Sequence, residues 1–261
     1  MSVALVTGAS AGLGREFAEQ LAARGSDLVL VARDRERLDA LAEELAGRHG
    51  ITVEVLVADL ADREQLGRVA GRVSDPDRPV DLLVNNAGLG SRRAFVRNDL
   101  EEEEHALDVM VRAVMVLCHA AGGAMRERGT GGILNVSSVA SFTAMGHYSA
   151  IKAYVTVLSE GLATELALHG VHVTALCPGF VRTEFHQRAE MDMSRLPDRL
   201  WLDAPSVVAA GLDAVAAGKV VSVPSPVYKG VVGVLRVVPR RVSRRVSGAL
   251  ATRRRPQDRL G

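Results

Sequence analysis

Seven short runs rich in β-branched residues alternate with helical patterns along the chain, and this alternation most constrains the fold. The runs are VALVT from Val3, DLVLVA from Asp27, TVEVLVA from Thr52, VDLLVN from Val80, GILNVS from Gly132, VHVTALC from Val171 and VVSVP from Val220. Helical patterns lie between them, including 13–24, 35–48 and 101–128. Strands that alternate with helices form βαβ units with right-handed crossovers. The sequence therefore predicts a three-layer α/β/α fold around a doubly wound, seven-stranded parallel sheet.

The length and composition are compatible with one such unit. With 261 residues, the chain has the size of many single α/β domains, and it contains neither an evident linker nor an internal repeat. We therefore expect one domain over residues 1–261. A hydrophobic content of 48% and a formal net charge of +1 are ordinary for a globular protein and do not indicate nucleic-acid binding.

The cysteines and the first residues of the chain indicate the compartment. Cys118 and Cys177 stand among apolar residues and have neither metal-ligand spacing nor the pattern of a disulfide framework, so we expect buried thiols in a reducing cytoplasm. A strand-like run begins at Val3, with no charged leader or cleavable apolar region before it. Charged residues interrupt every long apolar run, so the sequence predicts a cytoplasmic protein without a membrane-spanning helix.

A glycine cluster follows the first predicted strand and begins the first predicted helix. It reads TGASAGLG and contains Gly8, Gly12 and Gly14. Glycines at such a junction permit a tight turn and close approach of a ligand, and the helix N-terminus attracts a pyrophosphate. A P-loop is excluded because no lysine followed by serine or threonine closes the run. Glycines that serve only the turn are the alternative, but the flanking strand and helix favour a Rossmann-like dinucleotide site.

The residue at the end of the second predicted strand discriminates between dinucleotides. The segment reads VARDRERL, so Ala32 and Arg33 fall where the adenosine ribose would lie. A carboxylate at this place binds the ribose hydroxyls of NAD, whereas a guanidinium binds the 2′-phosphate of NADP. Arg33 therefore favours NADP(H) over NAD(H). The alternative is that Arg33 begins the solvated face of the next helix, together with Arg35 and Arg37.

Five motifs follow one another along most of the chain. They are TGASAGLG, Asp59, NNAG at 85–88, YSAIK from Tyr148 and PGFVRT from Pro178. In this order they resemble the motifs of the short-chain dehydrogenase/reductase family, which implies an NAD(P)-dependent oxidoreductase. The resemblance implies that Asp59 borders the adenine and that Thr183 meets the nicotinamide carboxamide, with a helix cap as the alternative for Thr183. The implied cofactor-binding residues are Gly8, Ser10, Gly12, Leu13, Gly14, Arg33, Asp59, Leu60, Asn86, Ala87, Gly88, Tyr148, Lys152, Pro178, Gly179, Val181 and Thr183; for Asn85, strand-end stabilisation and a place in the cofactor cleft are compatible.

The resemblance also assigns the chemistry to three residues. Tyr148 is implied to be the general acid in ketone reduction and the base in alcohol oxidation. Lys152, four residues later on the same helical face, is implied to tune Tyr148 and hold the nicotinamide ribose. Lowering a phenol pKa from near 10 to about 7 requires roughly 4 kcal/mol, which an ammonium and the cofactor charge could supply. Ser138 is implied to donate to the substrate carbonyl, and because strand residues alternate, only one of Ser137 and Ser138 faces the cleft.

Two features depart from the pattern of the family, and the first is Met110. The family commonly has an asparagine midway along the helix after NNAG, in a stretch similar to LDVNV, whereas this chain reads LDVMV. The asparagine is implied to hold a water that resupplies protons to the lysine, and a thioether is only a weak acceptor. Met110 also belongs to a helical apolar stripe with Leu107, Val114 and Leu117, so packing alone explains its presence.

The second departure is the segment between Ser138 and Tyr148, which is shorter than is typical of the family. A wider pocket, a displaced Ser138 and an earlier helix start are consequences that the sequence leaves open. His147 precedes Tyr148 and has a side chain that titrates near neutrality. Adjacent helical residues point about 100° apart, so we expect His147 to be a solvated loop residue rather than a proton route.

Residues 184–204 are expected to select the substrate, because they lie between the sixth predicted strand and a helix capped near Asp203. Met191, Met193, Leu196 and Trp201 give this segment an adaptable apolar surface. This composition favours a lipophilic carbonyl or alcohol and a segment that closes over it. Core packing beneath a long loop is the alternative.

The C-terminal extension, residues 227–261, is locally basic. It contains one lysine and nine arginines against a single acid, Asp258. An amphipathic helix at the periphery of an anionic membrane, a solvated tail and a packing element at a subunit interface all fit this pattern, and Pro239 would interrupt the helix. The acidic run from Glu101 is interpreted as a complement to the helix dipole.

Two hypotheses on function follow. The first is an NADP(H)-dependent carbonyl reductase or alcohol dehydrogenase that moves a hydride between the nicotinamide and a lipophilic carbonyl or secondary alcohol. The second, motivated by Met110 and the short segment before Tyr148, is an NADP(H)-binding protein with weak or no activity that acts through a partner or a membrane. Residues 107–121 and 148–166 resemble the dimerisation surface of the family, so we expect a homodimer or homotetramer, and no metal is predicted.

Overall fold

A seven-stranded parallel sheet forms the centre of the molecule. The computed structural model describes residues 2–90, 94–184 and 197–237. The strands are β1 (Val3–Thr7), β2 (Asp27–Ala32), β3 (Val53–Val57), β4 (Leu82–Asn85), β5 (Gly131–Val136), β6 (Val171–Leu176), β7 (Phe180–Val181), β8 (Trp201–Leu202) and β9 (Val221–Ser222). The main sheet has the order β3-β2-β1-β4-β5-β6-β9 with parallel pairs throughout, and β7 and β8 form a separate parallel pair. The predicted doubly wound sheet is confirmed.

Helices cover both faces of the main sheet. They are α1 (Gly12–Ala23), α2 (Arg35–His49), α3 (Arg63–Val73), α4 (Leu100–Leu107), α5 (Ala113–Arg128), α6 (His147–Leu166), α7 (Ala204–Ala216) and α8 (Pro226–Val237). A π-helical turn, Asp108–Arg112, joins α4 to α5, so that residues 100–128 form one continuous helical segment. Short 3-10 turns occur at Phe95–Arg97, Val139–Phe142, Ala167–His169 and Asp198–Leu200.

The alternation of side chains along the strands creates two separate cores. Ala4 and Val6 of β1 face a core built with α1, α2 and α7, whereas Leu5 faces a second core built with α3, α5 and α6. Both cores consist mainly of aliphatic side chains that are almost fully buried. The central strands are therefore covered on both sides, as their nearly continuous apolar sequences indicate. Cys118 and Cys177 are free and buried, as expected.

The predicted bounds differ from the observed ones where the elements are shortest. Only Val221 and Ser222 of the predicted last strand pair with β6. The β7–β8 pair is absent from the prediction, because two residues are too few to show a period. Within the predicted substrate segment, Met191, Met193 and Leu196 lie outside the described residues, as does the whole tail from residue 238.

One described helical segment, Leu100–Arg128, is long and apolar enough to cross a membrane by length and composition alone. Its α5 part, however, buries Leu117, Ala121 and Met125 in the second core. A core helix of a globular protein meets the same criteria of length and composition. The α5 part of this segment is thus packed against the sheet.

The first βα turn packs directly against the segment that follows β4. A Cβ atom added to Gly14 would lie 2.1 Å from the Gly8 carbonyl oxygen and 2.5 Å from Asn86 Nδ2. Gly8 and Gly12 have φ angles of +67° and +55°, in the left-handed region that favours glycine. The turn therefore depends on residues without side chains.

We expect Gly14→Ala to lower the free energy of unfolding by about 1–3 kcal/mol or more, because the added methyl group overlaps backbone atoms. Gly47→Ala is the matched control, since Gly47 lies in α2 with no neighbouring group within 4 Å of an added Cβ. A helical alanine at this position should stabilise the protein by roughly 0.5–1 kcal/mol. Urea denaturation measures both changes, and wild-type stability of Gly14→Ala would contradict the packing described.

Candidate active site

The hydroxyl of Thr7 joins the glycine turn to the NNAG segment. Thr7 Oγ1 donates to the Val84 carbonyl oxygen at 3.3 Å and accepts from the backbone N–H groups of Asn86 and Ala87 at 3.0 and 3.1 Å. Asn86 Nδ2 in turn donates to the Thr7 carbonyl oxygen at 3.0 Å. The glycine turn and NNAG are thus brought together at the C-terminal ends of β1 and β4, where ligands bind in open α/β sheets.

Asn85 has a structural role, which was one of its two compatible interpretations. Asn85 Nδ2 donates to Asn135 Oδ1 at 2.8 Å, and Asn135 Nδ2 donates to Ser159 Oγ at 2.9 Å. All three side chains are buried. This chain of hydrogen bonds ties β4 to β5 and to α6, and so links the strand ends to the helix that carries Tyr148.

Arg33 extends into solvent at the end of β2. Its side chain is 63% exposed, and Arg33 Nη1 lies 3.9 Å from Asp59 Oδ2. Asp34 caps α2 by accepting from the Arg37 N–H at 3.1 Å, so its carboxylate already serves the helix. Leu60 is buried in the second core. Arg33 is therefore an exposed and loosely held cation beside the predicted adenine edge.

A cavity of about 260 Å³ lies beside the glycine turn, between α1 and α2. Ser10 and Gly12, both predicted from the sequence, line it together with Arg15 and Arg37. Both arginines are paired with acids of the same cavity, Arg15 with Glu44 at 2.9 Å and Arg37 with Glu184 at 3.5 Å. Sequence reasoning did not place them beside the turn. The available signal for Arg37 was its place in the first turn of α2, because long helical side chains lean towards the helix N-terminus and so towards the end of β2.

Ser137 and Ser138 point in opposite directions, which decides between them. Ser137 Oγ is buried and donates to the Lys152 carbonyl oxygen at 2.9 Å. Ser138 accepts from the Ala140 N–H at 3.1 Å, and its side chain lies near enough to Tyr148 to lower the pKa of the phenol. Ser138 is therefore the serine beside the tyrosine.

Tyr148 and Lys152 lie one helical turn apart in α6, as predicted. Lys152 Nζ is 5.7 Å from the centre of the Tyr148 ring and donates to the Val136 carbonyl oxygen at 2.9 Å. Burial raises the pKa of Tyr148 to about 12, although part of its side chain meets solvent, and the nearby Ser138 side chain opposes this effect. Burial also lowers the pKa of Lys152 to about 8. The protein's own side chains therefore favour a neutral phenol, and Lys152 alone does not bring the pKa of Tyr148 to about 7.

The apolar side chain of Met110 is buried near Lys152. Its side chain is 2% exposed and belongs to a buried cluster with Ile151. Met110 Sδ accepts from the Leu89 N–H at 3.3 Å. A Cβ atom added to Gly88 would lie 3.6 Å from this sulfur and 3.9 Å from Lys152 Nζ. The thioether thus contacts the residue that follows NNAG and lies near the lysine, a placement that the apolar stripe alone did not indicate.

The short segment before Tyr148 is closed by hydrogen bonds. Ser149 Oγ accepts from the Met145 N–H at 3.2 Å and lies 3.0 Å from Thr143 Oγ1. A 3-10 turn follows Ser138, and α6 begins one residue before Tyr148. The 3-10 turn and the two bonds of Ser149 thus span the short segment between Ser138 and Tyr148.

The PGFVRT segment borders the glycine turn from the other side. A Cβ atom added to Gly12 would lie 3.4 Å from Thr183 Cβ, so Thr183 covers the turn. Val181 is buried in β7, and the Pro178 carbonyl oxygen accepts from the Val139 N–H at 3.0 Å. The segment therefore connects the predicted cofactor site to the residues that follow Ser138.

Tyr228 of α8 supports this segment and was missed by sequence reasoning. A Cβ atom added to Gly179 would lie 2.1 Å from two ring atoms of Tyr228, so the ring packs closely against the glycine backbone. The Tyr228 hydroxyl donates to the Leu200 carbonyl oxygen at 2.8 Å. Gly179 is thus required for packing as well as being predicted at the cofactor.

A buried polar cluster next to Tyr148 was also missed. Glu103 is 4% exposed, and its carboxylate hydrogen-bonds Asn98 Nδ2 at 2.7 Å and His147 Nδ1. The expectation of a solvated His147 is therefore wrong, because its side chain is only 15% exposed. The acidic run does lie in the first turn of α4, as its interpretation as a complement to the helix dipole requires, but Glu103 also has these partners. The contact joins residues 44 positions apart, so no local sequence pattern indicates it.

Comparisons with known proteins agree with this geometry. The family profile described as short chain dehydrogenase matches residues 2–194. The chain belongs to this family. The 3-oxoacyl-[acyl-carrier-protein] reductase FabG of Aquifex aeolicus is 34% identical to it over 185 residues, which cover 70% of this chain and 75% of that protein.

Solved structures of similar proteins match most of this chain. A short-chain dehydrogenase from Sphingobium yanoikuyae in complex with NADPH is 35% identical, with a TM-score of 0.82, over 92% of this chain and 96% of that one. The bulky-bulky ketone specific alcohol dehydrogenase from Comamonas testosteroni is 31% identical, with a TM-score of 0.78, over 92% and 95% of the two chains. As a short-chain dehydrogenase, the protein is an NAD(P)-dependent oxidoreductase that acts on CH–OH or C=O groups.

The lowered pKa of Lys152 predicts a pH dependence of cofactor use. When the cofactor is varied at saturating ketone, kcat/KM reports the ionisation of the free enzyme. We expect log kcat/KM to be level near neutral pH and to fall above the Lys152 pKa of about 8, because the ammonium that would hold the nicotinamide ribose loses its charge. Because the Tyr148 pKa is about 12, ionisation of the phenol should not change the pH profile further in the moderately alkaline range. A profile that stays level well above the lysine pKa would contradict this assignment.

Proposed function

We propose that the protein is an NADP(H)-dependent reductase of lipophilic ketones or aldehydes, or an oxidant of the corresponding alcohols, with Ser138, Tyr148 and Lys152 as catalytic residues. The observation that carries the proposal is that the buried Lys152 lies one helical turn from Tyr148, with its Nζ 5.7 Å from the Tyr148 ring, while Ser138 lies near enough to influence the phenol. A serine hydroxyl and a neutral phenol that meet at the end of a parallel sheet can both donate to one carbonyl oxygen.

The residues of the cleft fit a nicotinamide dinucleotide. The positive φ angles of Gly8 and Gly12 shape a tight turn at the N-terminus of α1, whose backbone N–H groups can bind a pyrophosphate. In this proposal Lys152 holds the nicotinamide ribose and Thr183 the carboxamide. The bound cofactor would supply a hydride to a carbonyl carbon or accept one from an alcohol carbon.

Tyr148 is the proposed proton donor in the reductive direction. Negative charge develops on the carbonyl oxygen during reduction, so a hydrogen bond from Ser138 stabilises that oxygen while Tyr148 transfers its phenolic proton to it. The pKa of about 12 keeps the phenol protonated at neutral pH. Lys152 is charged below its pKa of about 8 and stabilises the phenolate that remains.

We also propose that NADP(H) is preferred over NAD(H). Arg33 is exposed at the end of β2, and Arg37 lines the neighbouring cavity together with Ser10. Guanidinium groups at this place attract a 2′-phosphate, whereas Ala32 offers no carboxylate for the ribose hydroxyls of NAD. The similar Sphingobium yanoikuyae protein was solved in complex with NADPH, which supports the same preference.

Apolar side chains beside Ser138 support a lipophilic substrate. Val139, Phe142 and Phe180 belong to one apolar cluster on this side of the cleft. Phe95 is 54% exposed and contacts the residue that precedes Tyr148. The similar Comamonas testosteroni enzyme is described as specific for bulky-bulky ketones, and a carbonyl with bulky apolar substituents is accordingly the proposed substrate class.

A homodimer or homotetramer built on α5 and α6 is proposed as the assembly. Met115 of α5 is 47% exposed and Val157 of α6 is 65% exposed. Contact with the same helices of a second copy would cover these apolar side chains. The membrane contact of the basic C-terminal extension stays a prediction, because its residues from 238 onwards lie outside the described part of the chain.

The direct test is reduction of a panel of hydrophobic ketones and aldehydes with NADPH. We expect turnover by the wild type and a loss of about 10²- to 10⁴-fold in kcat for Tyr148→Phe, because the proton donor is removed. Tyr154→Phe, which removes a hydroxyl from the same helix, is the matched control and should keep its activity. NADPH binding without turnover across the panel, and none recovered in Met110→Asn, would favour the alternative of a cofactor-binding protein with weak or no activity.

The cofactor preference is tested by Arg33→Ala. A charge-assisted hydrogen bond contributes about 1.5–3 kcal/mol, so we expect the KM for NADPH to rise about 10- to 100-fold while the KM for NADH changes little. Arg35→Ala removes an equally charged and exposed side chain from the first turn of α2 and should leave both KM values unchanged. Steady-state kinetics with both cofactors decides the matter, and an equal loss with NADPH and NADH would argue against a 2′-phosphate contact.

A further inference from the structure

Glu103 is the buried member of an otherwise exposed acidic run. Glu101, Glu102 and Glu104 are exposed, whereas Glu103 is 4% exposed. Burial of a carboxylate costs free energy unless hydrogen bonds or an opposite charge offset it. The helix dipole acts on the exposed neighbours as well, so it does not account for the burial of this one residue.

The partners of Glu103 are Asn98 and His147. Asn98 Nδ2 donates to Glu103 Oε1 at 2.7 Å, and His147 Nδ1 hydrogen-bonds Oε2. The His147 side chain is 15% exposed, and the ring of Phe95 meets it edge-on with the ring centres 5.3 Å apart. Each carboxylate oxygen thus has its own partner, and the imidazole is held by both a polar and an aromatic contact.

His147 is the first residue of α6 and directly precedes Tyr148. Gly146 before it has a φ angle of +84° and offers no side chain to cap the helix. Ser149 accepts from the Met145 N–H, a hydrogen bond that joins the start of α6 to the loop directly before it. The bond from His147 to Glu103 instead fastens the first turn of α6 to a different element, α4.

The element that carries Glu103 is a firm anchor. α4 continues through the π turn, in which Met110 packs beside Ile151 of α6 and accepts from the Leu89 N–H. Glu103 therefore sits on a segment that already contacts both Leu89, which follows NNAG, and the second turn of α6. π turns of this kind are frequent at functional sites.

From these contacts we propose that Glu103 and His147 form a positioning pair that aims the Tyr148 hydroxyl at Ser138, in place of the residues that the short segment lacks. The inference rests on the proposed function, because it concerns the step in which Tyr148 transfers a proton. Without the pair, the first turn of α6 frays at an uncapped glycine. A misplacement of a reacting group by about 1 Å can lower a rate about 100-fold.

The kinetic test compares Glu103→Ala and Glu103→Gln with the matched control Glu102→Ala. We expect Glu103→Ala to lower kcat for ketone reduction about 10- to 100-fold while the Kd for NADPH changes less than about twofold. Glu103→Gln keeps hydrogen-bonding groups for both partners and should retain kcat within about threefold of the wild type. Glu102→Ala should behave as the wild type. An unchanged kcat in Glu103→Ala, or equal losses of kcat and NADPH affinity, would overturn the proposal.

Backbone hydrogen exchange gives a readout that does not depend on turnover. We expect faster exchange over residues 143–150 in Glu103→Ala and in His147→Ala, and wild-type exchange in Glu102→Ala. Should Glu103→Ala fail to fold, Asn98→Ala removes one partner of the carboxylate and is expected to show the same change to a smaller degree. If the wild-type protein shows no turnover, the proposed function is contradicted. If hydrogen exchange over residues 143–150 is unchanged in folded Glu103 and His147 variants, the positioning pair is contradicted.

Discussion

The hydrogen bonds of the Thr7 hydroxyl hold together the two strand ends on which the candidate site depends. This one buried side chain accepts from two successive N–H groups of the NNAG segment and donates to the strand before it. Its removal would leave two backbone donors of a partly buried loop without this partner, at a cost of about 1–3 kcal/mol for each group that stays unsatisfied. The glycine turn can lie so close to Asn86 only because that loop is held in place, and Gly88 reaches Lys152 from the same loop.

The fold could be predicted well because burial on both faces of a parallel sheet leaves a strong record in the sequence. The strands of the centre, such as β1 and β2, are continuous apolar runs bounded by turn residues, and their observed bounds agree with the prediction. The edge strand β9 and the β7–β8 pair consist of two residues each, and their existence depends on neighbours rather than on their own pattern. Tertiary contacts decide such elements.

The candidate site was predictable where its residues are close in sequence. The four-residue spacing of Tyr148 and Lys152 fixes a common helix face, and strand alternation reduces the serine choice to one of two. Which of Ser137 and Ser138 faces the cleft depends on the buried hydrogen bond from Ser137 to α6, and this contact joins residues that are distant in sequence. The pairing of Glu103 with His147 is equally non-local. From the sequence, the helix dipole is a sufficient explanation for an acid in a first helical turn. Only the burial of Glu103 in the structure shows that it has a further partner, His147.

Met110 belongs to the apolar cluster against which Tyr148 packs. The resemblance to the family implies an amide at this position. The Met110 thioether instead accepts one weak hydrogen bond, from the Leu89 N–H, and otherwise packs as an apolar group. Apolar surroundings disfavour charge, and so they raise the pKa of Tyr148 and lower that of Lys152, both in favour of the neutral form. A neutral phenol is the form that donates a proton during carbonyl reduction, whereas alcohol oxidation requires the phenolate. The side chains of the site, taken by themselves, therefore hold Tyr148 in the protonation state that reduction uses.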